Sequence, residues 1–254
     1  MLKKLLRATV PAIALAGLCA ALPAAAQAIR AVTDATAHTY SDDGKVPGPA
    51  TEVVKQVFAR AGLTDYSIAI YPWARAYDMA LNQPDVLLYL VARTPARESL
   101  FQWVGEVTRI QYHLYRRPDR ADILVASLAD AQRYAIGVVR DDVRQTYLQQ
   151  QGFTRLAPFA QPIEGVRRLL AGQIDLMPLN DAEAATLCAA TRPQCSELAR
   201  AYTLDGLGVY LYMAYSRGTA DALVARTRAA FDQLRAEGVV KRIMELPPAP
   251  ALKP

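Results

Sequence analysis

Residues 93–105 read RTPARESLFQWVG and set two guanidinium groups, Arg93 and Arg97, four residues apart directly after the apolar run VLLYLVA. A strand that ends this way is either a solvated tip or one wall of an anion site. The planar fork of arginine offers two parallel N–H donors to a carboxylate, which makes either Arg93 or Arg97 a candidate anchor. The competing reading of Arg97 is a surface ion pair with Glu98 or Glu106. A second group is YPWARA, where Tyr71 and Trp73 flank Pro72 and Arg75 follows. A strand-to-helix turn of this kind faces a cleft in α/β folds, so Trp73 is a candidate platform for a solute and Arg75 a candidate contact. The alternative for Trp73 is that it caps a core. Other chemistry is sparse. His38 and His113 are the only histidines, which leaves a Ser-His-Asp triad or a histidine zinc site few possible members, and no metal or cofactor is expected.

The elements that must position these residues begin after a leader. Lys3, Lys4 and Arg7 form a basic start, ATVPAIALAGLCAAL is apolar but short for a bilayer, and AQA at Ala26–Ala28 is a small-residue cleavage site. Residues 1–28 therefore read as a secretory signal peptide, with Ile29 as the first mature residue. Cys19 follows Leu18, where lipidation needs a small residue. The full chain carries 29 basic and 24 acidic residues; losing the leader's three bases leaves a near-neutral +2. No basic run remains to bind nucleic acid, and no other segment is apolar enough for stable membrane insertion. Cys188 and Cys195 remain in CAATRPQC, and in an oxidising compartment the simplest reading is a local disulfide, contributing roughly 2–3 kcal/mol by loop entropy. The mature chain is long enough for one large domain or two lobes of roughly 110 residues each.

Strand and helix signals alternate along the mature chain, which predicts an α/β architecture. AIRAVTD is a short strand, and GPATEVVKQVFARAG carries apolar residues at helical spacing between a proline near its start and a glycine past its end. YSIAIY is a second strand, WARAYDMALN a helix, and DVLLYLVA a strand apolar on both faces. The second half repeats the grammar: YAIGVVR, the helix after DDV, a strand after FTRLAPFA, the helix PIEGVRRLLAGQ and the strand IDLMPL. TRIQYHLYRR lies between the halves as an extended crossing. A long amphipathic helix broken at Gly238 closes the chain before the tail PPAPALKP.

Taken in order, AVTD, the first helix, RTPARESLFQWVGEV, IGVVRDDVRQTYL, LLAGQIDLM and LRAEGVVKRIMEL resemble the family 3 extracellular solute-binding proteins of the polar amino-acid type. The resemblance spans nearly all of residues 29–246. It implies a type II, two-lobed periplasmic-binding-protein-like α/β fold with two crossing hinge strands. The expected division is 29–108 for the first lobe, 109–216 for the second, and 217–254 for C-terminal helices returning to the first. Arg97 falls on the arginine that grips the ligand carboxylate in that family, and Thr94 on the threonine of the same T-x-x-R motif. The expected aromatic stacker falls at Ala37, with His38 and Tyr40 nearby. The second-lobe turn, usually small residues, is RDDVR here; Asp141 and Asp142 make it less inviting to an anion, while Arg140 and Arg144 offset them. The family's ammonium-binding carboxylate falls near Asn180 or Asp181, and an asparagine there supplies no charge.

The function implied is capture of a small, polar, carboxylate-bearing solute, an amino acid or a relative, by a monomeric periplasmic protein that hands it to the permease of an ABC importer. A competing class is a periplasmic enzyme on the same fold, similar to cyclohexadienyl dehydratase, with Glu52, Asp141 or Asp181 as acid–base carriers. A third is a sensing module for a separate partner.

Overall fold

The computed structural model describes residues 28–245. The expected leader, Ala28 apart, and the proline-rich tail lie outside the described residues. The chain runs β1 (Ile29–Thr33), α1 (Pro49–Arg60), β2 (Tyr66–Ile70), α2 (Trp73–Asn82), β3 (Val86–Ala92), a 3₁₀ turn (Pro95–Leu100) and β4 (Phe101–Arg116). There follow α3 (Leu128–Ala131), β5 (Ile136–Val139), α4 (Val143–Gln150), β6 (Leu156–Phe159), α5 (Pro162–Leu170), β7 (Met177–Leu179), α6 (Asp181–Ala190), β8 (Ala199–Ser216), α7 (Asp221–Ala236) and α8 (Val239–Met244). The α/β alternation expected from the sequence is the one observed, except that the strand expected after FTRLAPFA lies within it, as β6.

In the first sheet β1 pairs in parallel with both β2 and β3. All seven residues of β3 are buried, because helices cover both faces of the sheet. On one side α1 and α7 bring Val54, Phe58 and Phe231 against Tyr89 and Tyr215. On the other, α2 brings Trp73, Ala76 and Met79 against Leu88, Val91 and Ala214. The second half has its own parallel pair, β5 and β6, with Ile136 also bridging Leu176.

The sequence reading does not place α3, α6 or β8, and of these β8 matters most to the architecture. Its centre, Asp205-Gly206-Leu207-Gly208, has turn composition, yet an 18-residue strand runs through it. Its partner is the 16-residue β4, paired antiparallel from Phe101 opposite Ser216 to Arg116 opposite Ala199. At one end β8 joins β3, and near the other end of β4 residues His113–Tyr115 join β7. These two long strands are the crossing pair that links the halves, and glycine is tolerated there because flanking pairing holds the ladder. Cys188 and Cys195 form a disulfide that ties the end of α6 to the segment before β8. No helix among the described residues is long and apolar enough to cross a membrane.

Candidate functional site

The candidate residues gather because each follows the carboxyl end of a parallel strand, where α/β sheets place their crevices. Asp34 follows β1, Trp73 follows β2, Thr94 and Arg97 follow β3, and Asp141 and Asp142 follow β5. Asn180 follows β7 and caps α6, its side chain accepting from the Glu183 amide while Glu183 reaches back to the Asn180 amide.

Arg93 and Arg97, four residues apart in the sequence, have different surroundings in the fold. Arg93 pairs with Glu98, donating at 2.8 and 2.5 Å, and its guanidinium lies 5.2 Å from the ring centroids of both Trp103 and Tyr212. Arg97 is 7 % exposed and, among the described residues, forms no ion pair. Its fork donates to two backbone oxygens, Asp141 at 3.2 Å and Ala92 at 3.5 Å, and it sits over the rings of Tyr77 and Trp73. The Asp141 carbonyl also accepts from Trp73 Nε1 at 3.0 Å. Asp141 adopts a left-handed φ of 59°, and Leu90, also on this cleft, one of 62°. Such conformations in residues with side chains are costly and concentrate at functional sites.

Beneath Arg97 lies an inner cavity of about 30 Å³, room for about two water molecules. Asp34, Asp142, Arg144, Asn180 and Glu183 share it. Arg144, 3 % exposed, is fully committed: it donates to Asp142 at 2.6 Å and to Glu183 at 3.2 Å, above the Tyr112 ring. Burial opposes its charge, but these two carboxylates more than offset that and hold it protonated. Burial raises the Glu183 carboxyl, with Arg144 pulling it back down. Asp34 is left over. It is 9 % exposed and in no ion pair among the described residues. Burial first, then the charges of Asp142 and Glu183, push its carboxyl up to about 7 against the pull of Arg144. His38 Nδ1, on the same cavity, is buried without a hydrogen-bond partner, and burial lowers the pKa of the ring.

The structure thus brings Arg97, Trp73, Arg144 and Asn180 to this inner cavity. Thr94 caps the 3₁₀ turn that carries Arg97 and lines a larger adjoining cavity. The remaining candidates stand apart. Arg75 stacks on Tyr71, Tyr40 gives its amide to Pro47, and Arg140 is exposed at the end of β5; none lines either cavity. Asp181 points elsewhere, into contact with Tyr115 and Arg200. The expected acid–base carriers are not assembled: Glu52 accepts from Gln56 on α1, far in the chain from Asp181's cluster, and only Asp141 reaches the cleft. Sequence reasoning does not single out Asp34 or Glu183 as site residues. The signal available for Asp34 is a carboxylate at the polar tip of the first strand.

No family model matches the sequence, and no curated protein matches it. Solved structures do. The chain is similar to a histidine kinase sensor domain with similarity to periplasmic binding proteins, at TM-score 0.77 and 19 % identity over 90 % of this chain and 98 % of the other. It is similar to an arginine-, lysine- and histidine-binding protein from the thermophilic bacterium Geobacillus stearothermophilus, at TM-score 0.73 and 16 % identity over 85 % and 93 %. It is also similar to an ancestral amino acid-binding protein described as a precursor of cyclohexadienyl dehydratase, at TM-score 0.71 and 15 % identity over 87 % and 95 %. Full-length likeness at this level, together with the two crossing strands, shows that the chain has the two-lobed α/β fold of the periplasmic binding proteins.

Proposed function

We propose that this chain is an exported, monomeric solute-binding protein that captures a small carboxylate-bearing polar solute between its lobes and delivers it to an ABC importer. The observation that carries the reading is Arg97, a buried guanidinium on the cleft with no carboxylate of its own. A buried charge without a counter-ion is costly, and a fork held by aromatic faces suits a bidentate carboxylate. Asp34 supplies the opposite charge on the same cleft, so a solute that also bears an amine complements both groups. The lobes are taken as 29–108 with the C-terminal helices from 217 onward, and 109–216. Bending of the crossing strands would open the cleft.

Calorimetry against a panel of amino acids and organic acids tests the reading. The parent binds at least one, Arg97→Ala lowers its affinity roughly a hundredfold, and Arg97→Lys loses less. If Arg97→Ala remains folded and binds as tightly as the parent, the carboxylate role is gone. Delivery is tested by ATPase stimulation of a reconstituted permease, and no stimulation by the loaded protein removes the importer.

One observation favours a second reading. A buried carboxyl poised near 7 in a cleft, as for Asp34, suits a general acid or base, and an enzyme on this fold would use it. Turnover of prephenate that Asp34→Asn abolishes would establish catalysis in place of carriage.

A further inference from the structure

The inner cavity is sized for the polar end of a solute and leaves a larger space unexplained. Sharing Arg97 and Val143 with the inner cavity is a cavity of about 850 Å³, within the range of small-molecule sites. It is built by α2, α4 and β8, with Tyr77, Leu81, Tyr147, Leu207, Val209 and Tyr210 on its walls. Three large hydrophobic side chains are well exposed among the described residues, and two of them, Leu81 at 39 % and Tyr210 at 42 %, line this one cavity. Their clustering is what a ligand-facing apolar surface looks like, whereas scattered single exposures mean little.

The lining is held in place. The guanidinium of Arg109 lies 4.7 Å from the centroid of the Tyr210 ring. Tyr147 lies so close to β8 that a Cβ on Gly206 would come within 2.8 Å of its hydroxyl. The turn-like glycine at the centre of β8 therefore lets an aromatic side chain of α4 form a wall. Asp78, exposed at the rim, accepts from Asn82 at 2.7 Å and lines this cavity. A second anionic group on the solute would meet Asp78 there, and the arginine at that rim, Arg93, is taken by Glu98.

We propose that this outer cavity is a subsite for the apolar, ring-bearing body of a zwitterionic monocarboxylate whose carboxylate rests on Arg97. This rests on the reading of Arg97 given above and narrows the carboxylate-bearing solute to amino acids with a bulky apolar side chain. L-phenylalanine and L-alanine serve as probes, since they share both charged ends and differ only in the ring.

The mature chain is titrated with each amino acid by calorimetry. L-phenylalanine binds at least roughly tenfold more tightly than L-alanine, the gain expected from burying a benzyl group. Leu81→Ser and Tyr210→Ser, both at exposed positions and checked for folding by circular dichroism, each weaken L-phenylalanine severalfold and leave L-alanine unchanged. Gly206→Val, which drives Tyr147 into the cavity, does the same. Equal affinities for the two probes, variants without effect, or no binding of either up to millimolar concentration would overturn the subsite. If the serine variants weaken L-phenylalanine while Arg97→Ala does not, the apolar subsite stands and the carboxylate role of Arg97 falls.

Discussion

Arg97 and Arg144 show how two buried arginines can differ in kind. Arg144 holds two carboxylates and is a structural cation; Arg97 holds only carbonyls and ring faces. That leaves Asp34 as the surplus acid of the inner cavity. Its folded carboxyl sits at about 7, whereas an unfolded aspartate titrates near 4. The folded state therefore binds more protons across that window, and the group's contribution, present below about 4, is lost as pH rises through about 7. Asp34→Asn removes this slope. It should melt about 5 °C higher than the parent at pH 8 and close to it at pH 4, as followed by circular dichroism. A parent and variant that track each other across the range would show that Asp34 ionises freely. A cationic solute group should bind more tightly as pH rises through the same window, since it needs the carboxylate.

At the scale of elements, much of the molecule follows from spacing. The helix over WARAYDMALN begins after Pro72 and ends before Gln83, and its buried face Trp73, Ala76, Met79 and Ala80 has the expected period. The burial of VLLYLVA on every residue likewise matches its unbroken apolarity. β8 is illegible in the sequence because its glycines read as a turn, and only pairing with β4 keeps the segment extended. Gly105 on β4 makes the same point, since a Cβ there would lie 2.2 Å from the Phe231 ring on α7. Gly105→Ala should cost about 1–3 kcal/mol in urea unfolding, and an unchanged midpoint would mean α7 can shift away. Replacing Cys188 and Cys195 by serine should cost about 2–3 kcal/mol at that loop length, read in the same assay under oxidising conditions.

Across the whole molecule, the two halves meet at the Asp141 carbonyl. This oxygen, beside α4, accepts from Trp73 and Arg97, both from the other half. A solute that takes Arg97 competes with that contact, so closure without solute and capture of solute draw on the same donors. Trp73→Phe keeps most of the packing and removes one of the two hydrogen bonds. In small-angle scattering without solute it should show a larger radius of gyration than the parent, because the open population rises. With a saturating solute the two should coincide. Identical curves without solute would mean that the crossing strands alone fix the angle between lobes.

The export leader and, through a family resemblance, the carboxylate role of Arg97 are expectations of the sequence; what the sequence by itself determined is the alternation of elements and the cysteine pairing. These depend on local periodicity, turn chemistry and spacing, which act over a few residues. Tertiary structure decided which charges are free. Glu98 lies next to Arg97 in the chain yet is held by Arg93, and Arg144 is neutralised by Glu183, 39 residues away. Counter-ions are allotted by distance in space and by burial, and neither is written in sequence separation. For that reason Asp34, an ordinary strand-tip carboxylate in the sequence, becomes the unpaired acid of the inner cavity only once the two halves meet.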